Sequence, residues 1–98
     1  MTINQNRTDS SLVVSLVGRL DTTTAPELEQ ALSDSLDGIT ELTLDFGGLE
    51  YVSSAGLRVL LSVQKRMQKQ GSMKLVHVGE MIMEIFEVTG FSDILTIV

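Results

Sequence analysis

Between Leu42 and Gln70 the spacing of apolar side chains changes from two to about 3.6 residues, and this change narrows the folds open to the chain. Leu42-Thr43-Leu44-Asp45-Phe46 alternates as a half-buried strand does, whereas Leu57, Leu60, Leu61, Val63 and Met67 recur along one side of a helix ending near Gln70. The same alternation of element types runs through the rest of the sequence. Leu12 to Val17 is a short β-branched run, paired with the weaker segment Thr2 to Arg7 across the polar turn Thr8 to Ser11. A helix follows from about Thr24 to Asp37, with Pro26 in its first turn and Leu28, Ala31, Leu32 and Leu36 on its inner face; Gly38 ends it. Glu41 to Phe46 forms a third strand, and Gly47 to Glu50 reads as a loop. After Gly71, Met73 to Val78 is a fourth strand, Glu80 to Val88 a short last helix with Ile82, Ile85 and Phe86 inward, and Ile94 to Val98 a strand completing the sheet. Strands alternating with helices imply parallel crossovers, with an antiparallel hairpin at the start. The expectation is one α/β domain over residues 1–98, a mixed four- to five-stranded sheet with helices packed alongside, in the order β-β-α-β-α-β-α-β.

The segment joining the two periodicities, Tyr51-Val52-Ser53-Ser54-Ala55-Gly56-Leu57, places two hydroxyls at the start of a helix. Helix N-termini carry free N–H groups and a partial positive charge, so they hold a phosphate well. Serine is also an ordinary N-cap, and the two roles are compatible: Ser53 caps while Ser54 falls in the first turn with its hydroxyl free. Ala55 and Gly56 keep the surroundings small enough for another protein to approach. Gly56 within a helix costs about 1 kcal/mol relative to Ala, which implies a steric reason, either close packing on the sheet or access for a partner. If the strand ending near Phe46 is central, the serines lie at its C-terminal edge, where open α/β sheets place their sites, and Asp21 enters the first helix at the same edge.

Several function classes find no support. The net charge of -6 argues against electrostatic binding to nucleic acid or anionic membrane. No apolar run approaches the roughly 18 residues of a membrane span, and the N-terminus lacks the order of a signal peptide, so a soluble cytoplasmic protein is expected. Cysteine is absent, which removes disulfides and thiolate metal sites. His77 is the single histidine and has no evident relay partner. Asp45 reads as a loop or capping residue, with no paired acids after the first strand to hold Mg²⁺. No Gly-x-Ser-x-Gly, phosphate-loop or dinucleotide fingerprint occurs. Charge is segregated: Asp21 to Glu50 holds eight acids and no Lys or Arg, and Tyr51 to Gly79 holds five basic residues and no acid. Two solvated helix faces or a charge-matched partner surface would each produce this pattern. Met81 and Met83 cannot both face inward with Ile82, leaving a ragged core edge or an adaptable contact surface.

The order of elements, with Gly18-Arg19-Leu20-Asp21, Leu42-Thr43-Leu44-Asp45-Phe46 and the serine segment, resembles the STAS domain, above all the single-domain anti-sigma factor antagonists of bacteria. The resemblance implies a binding module, not an enzyme, that needs no cofactor. In its unphosphorylated form it would bind a serine kinase that is also the anti-sigma factor and so release the sigma factor. A serine phosphatase would reset it. Ser54 matches the phospho-acceptor. Many such antagonists have Asp directly before the acceptor, and Ser53, standing there, is the second candidate. Asp21 matches an acid on the neighbouring loop implicated in kinase contact. The partner-binding surface is then expected at Asp21, Thr22 and Thr23 on that loop and at Ser53, Ser54, Ala55, Gly56 and Arg58 on the serine helix. A non-switching STAS scaffold subunit of a transport or signalling complex is the alternative, and the oligomeric state is left open.

Overall fold

The computed structural model describes residues 1–98. An antiparallel hairpin of β1 (Thr2–Thr8) and β2 (Ser11–Leu20) leads into α1 (Ala25–Ser35), then β3 (Glu41–Val52), α2 (Ser54–Gln70), β4 (Ser72–Val76) and α3 (Glu80–Thr89). The sheet order is β1-β2-β3-β4, with β2, β3 and β4 mutually parallel. The expected mixed sheet and its crossovers are therefore present. Asp9, in the hairpin turn, has a φ of 55°, a left-handed conformation that Asp tolerates better than bulkier residues.

The core lies on one face of the sheet. Leu12, Val14, Leu16 and Leu20 of β2 are buried with Leu42, Leu44 and Phe46 of β3, whereas Val13 and Val17 point to the open face. Leu28 and Leu32 of α1, Leu57, Leu60, Val63 and Met67 of α2, and Ile82 and Phe86 of α3 join the same cluster of 24 buried residues. The Phe46 and Phe86 rings, 6.3 Å apart, tie α3 to the centre of β3. The helices thus cover one face and leave the other to solvent, as one-sided alternation in β2 and β3 requires.

Two expectations are corrected. Gly47 to Glu50 is not a loop: β3 continues through it to Val52, and the register with β2 shifts between Ser15 and Val17 and again between Gly18 and Arg19. These are bulges, in which β3 sets extra residues against its neighbour. Gly48 is needed because a Cβ there would stand 2.8 Å from Val17 Cγ2 and 3.1 Å from the Leu16 carbonyl oxygen. The Gly47 N–H donates to Asp45 Oδ1 at 2.9 Å, so Asp45 is a strand residue that closes the bulge. The final strand shrinks to one parallel bridge between Leu75 and Ile97. The chain leaves α3 through left-handed Gly90 into a 3₁₀ turn at Phe91–Asp93, and beyond it the Thr96 carbonyl accepts the Leu75 N–H while the Val98 N–H donates to the Leu75 carbonyl.

Candidate functional site

The start of α2 is built by three local bonds. The Ser53 N–H donates to the Leu20 carbonyl at 2.8 Å, which docks the end of β3 on the end of β2. Ser53, in an extended conformation, accepts the Gly56 N–H on its Oγ at 3.3 Å, and its carbonyl accepts the Leu57 N–H at 2.9 Å. Ser53 is therefore the N-cap, half-buried. Ser54, the first helical residue, is exposed and stands outside that cap. The first turn contains no acid, so its partial positive charge is uncompensated by the helix's own side chains. Arg58, one turn on, is also exposed.

Gly56 is buried against β2. A Cβ on it would meet Leu20 Cγ at 2.7 Å and the Leu20 carbonyl oxygen at 3.1 Å. Of its two possible steric reasons, the structure supplies close packing on the sheet. Gly56 positions the helix and presents little surface of its own.

Leu20 is followed by Asp21, so the loop before α1 emerges beside the serines, as the parallel pairing of β2 with β3 dictates. Asp21 Oδ1 accepts the N–H groups of Thr23 at 3.0 Å and Thr24 at 3.1 Å. Thr24 Oγ1 accepts the Asp21 N–H at 2.8 Å and donates to the Arg19 carbonyl at 2.7 Å. The second carboxylate oxygen lies 4.0 Å from Arg19 Nε, and the Arg19 guanidinium sits 4.5 Å above the Tyr51 ring. Thr22 and Thr23 are exposed at the rim. Between this loop and α2 runs a cleft of about 450 Å³, with Thr22, Ala25, Pro26 and Glu29 on one wall and Ala55, Arg58, Val59 and Ser62 on the other. It brings together three of the expected partner residues, Thr22, Ala55 and Arg58. Glu29, missed in the sequence, lies one turn after Ala25, and that spacing was the available signal.

The charge segregation is partly internal. Arg66 of α2 reaches Asp37 beyond α1 at 2.9 Å, so one of the basic residues is paired within the chain. His77 does have a partner: its Nδ1 lies 2.9 Å from Asp45 Oδ1 on the open face of the sheet. The contact joins residues 32 apart in sequence, a separation at which no local pattern reveals it.

Two carboxyls are held below the usual carboxylate range. Asp21 is lowered chiefly by the Thr24 backbone N–H, and Asp45 chiefly by the Gly47 N–H and then by His77. Because their folded values are depressed, the stability they contribute is fully present above the unfolded value of about 3.9 and is lost as pH falls through the folded values. Asp21→Asn and Asp45→Asn are each expected to flatten the fall in urea-unfolding free energy below about pH 4. An unchanged slope in both variants would contradict the bonding described.

No helix is long and apolar enough to cross a membrane. No group of three or more His, Cys, Asp or Glu residues is placed to hold a metal ion. A family model described as "Mlab, STAS domain" matches residues 3–97. The chain is 38% identical to BtrV of Bordetella bronchiseptica, classed by name with the anti-sigma factor antagonists, over 96% of this chain and 83% of that one. It is 31% identical to the anti-sigma-B factor antagonist of Bacillus subtilis over 97% and 86% of the two chains. The crystal structure of an anti-sigma factor antagonist from Mycobacterium paratuberculosis superposes with a TM-score of 0.87 at 28% identity, covering 98% of this chain and 83% of that one.

Proposed function

The chain belongs to the STAS domain family, among the anti-sigma factor antagonists, and from that premise we propose that it is a partner-switching module controlled by phosphorylation of Ser54. The observation that carries the reading is the division of labour between the two hydroxyls. Ser53 Oγ is committed to the Gly56 N–H, while Ser54 stands exposed, next in sequence to Ala55 on the α2 wall of the cleft between α1 and α2.

In the unmodified state, the low surface formed by Ala55, Thr22, Thr23 and Arg58 docks a serine kinase that is also an anti-sigma factor, in competition with its sigma factor. Asp21, held rigidly by Thr23 and Thr24, offers a fixed negative charge at the rim. The kinase supplies ATP and Mg²⁺, so this chain contributes the acceptor and its geometry, not a catalytic group. Phosphate then adds about -1.5 to -2 charge and three acceptor oxygens at the contact. Within this protein the α2 N-terminus and Arg58, four residues on, favour that charge. At the interface the same group obstructs and repels, so the complex separates with little internal rearrangement. A serine phosphatase restores the binding form.

Mass spectrometry after incubation with the cognate kinase and ATP tests the assignment. One phosphate on Ser54 is expected, and none on Ser54→Ala. Modification that persists in Ser54→Ala and vanishes in Ser53→Ala moves the acceptor to Ser53. A stable partner complex indifferent to phosphate instead supports the non-switching scaffold.

A further inference from the structure

We propose that the outer face of α3 is a second docking groove, one that receives a basic amphipathic helix of a protein partner. α3 carries two apolar stripes where folding requires one. Ile82 and Phe86 face the core and are buried, whereas Met81 and Val88 are exposed and Ile85, half-buried against the edge of the core, lies between them, the three spaced four and three apart in a second line. Met81 is 73% exposed and Val88 82%. With Tyr51 from the end of β3 they line a shallow cleft of about 390 Å³. A stripe at this spacing is the surface into which the side chains of a second helix interdigitate. Methionine at its entrance adapts to more than one side-chain shape.

Charge decides the chemistry of the occupant. α3 contains Glu80, Glu84 and Glu87 and no Lys or Arg, and Glu50 joins Glu80 and Met81 in the adjoining cleft. The one cation at the groove, Arg19, is stacked on Tyr51 and directed toward Asp21. An apolar line edged with acids, whose one neighbouring cation is already engaged by Tyr51 and Asp21, matches a helix with apolar residues on one side and Lys or Arg beside them. A second copy of this chain does not supply that helix. Its own α3 would set acid against acid, and the exposed basic side of α2, at Arg58, Lys65 and Lys69, brings no exposed apolar side chain to fill the cleft.

This groove is distinct from the Ser54 surface, so the test separates the two. The full chain, labelled with ¹⁵N, is titrated with a synthetic peptide of roughly four helical turns carrying Leu at heptad a and d positions and Lys elsewhere. Amide shifts are expected at Tyr51, Met81, Glu84, Ile85 and Val88. A scrambled peptide of the same composition, and one with Glu in place of Lys, should each bind roughly tenfold more weakly or worse. Met81→Lys combined with Val88→Lys should weaken the peptide by a similar factor with the melting temperature unchanged, since both side chains are exposed. Ser54→Asp should leave peptide binding as it is. Equal binding of the scrambled peptide, shifts confined to α2 or the sheet, or concentration-dependent shifts at α3 without peptide would each overturn the proposal, the last by showing a second copy on the groove.

Discussion

Ser54→Asp is expected to lower the affinity for the kinase/anti-sigma partner by roughly 30-fold or more, equivalent to about 2 kcal/mol, without lowering the melting temperature. The carboxylate at the first helical position meets uncompensated N–H groups and Arg58, so within the free chain it is tolerated or slightly favourable. At the interface the same charge has to be desolvated against a surface that fits a neutral hydroxyl, and an unpaired charge left at such a contact costs about 2–5 kcal/mol. The loss should therefore appear in binding alone. Ser53→Ala separates cap from switch, because removing the Oγ that accepts the Gly56 N–H costs about 1 kcal/mol of stability. That corresponds to roughly 4–8 °C in melting temperature for a domain of this size. Isothermal titration calorimetry with the partner, paired with thermal melts, reads both quantities. Full affinity in Ser54→Asp would sink the switch.

What could be read from the sequence was what short-range chemistry decides. The start of α2 was legible because a capping hydroxyl, a small residue and a 3.6-residue period all stand within one helical turn of Ser53, and the structure sets the cap there. Asp21 was placed at the same edge because a helix crossover between parallel strands returns the chain to the same end of the sheet. The resemblance to STAS domains then supplied the roles that periodicity does not carry. The bulges in β3 were hidden because Gly47-Gly48 is an ordinary turn signal, and only the closeness of Val17 explains why Gly48 sits in a strand. His77 and Asp45, and Arg66 and Asp37, pair across long sequence separations, so nothing in their neighbours reveals them. The second stripe on α3 was half visible. The sequence sets Ile82, Ile85 and Phe86 inward and leaves Met81 and Met83 unable to share the core with Ile82, but only the structure shows Ile85 half-buried in line with exposed Met81 and Val88.

Gly56→Val is expected to cost about 3 kcal/mol and, by displacing the α2 N-terminus, to slow phosphorylation of Ser54. The reason is the distance to β2: a Cβ would lie 2.7 Å from Leu20 Cγ and 3.0 Å from Cδ2, and Leu20 is fully buried with nowhere to swing. Helix propensity offers little relief, since Val exceeds Gly by only a few tenths of a kcal/mol. A double-mutant cycle identifies the contact. Leu20→Ala alone should cost about 2–5 kcal/mol through the cavity it leaves. Together the two changes should cost less than their sum, because the valine methyls occupy the space vacated by the leucine. Recovery stays incomplete, as the Leu20 carbonyl oxygen at 3.1 Å belongs to the backbone and accepts the Ser53 N–H that fixes the turn. Denaturant melts of the four chains measure the coupling, and the initial rate of kinase-dependent phosphorylation measures the displacement. Strict additivity would mean that Gly56 does not set the position of α2 against Leu20, and a Ser54 modified at the unaltered rate would mean that this position does not govern access to the hydroxyl.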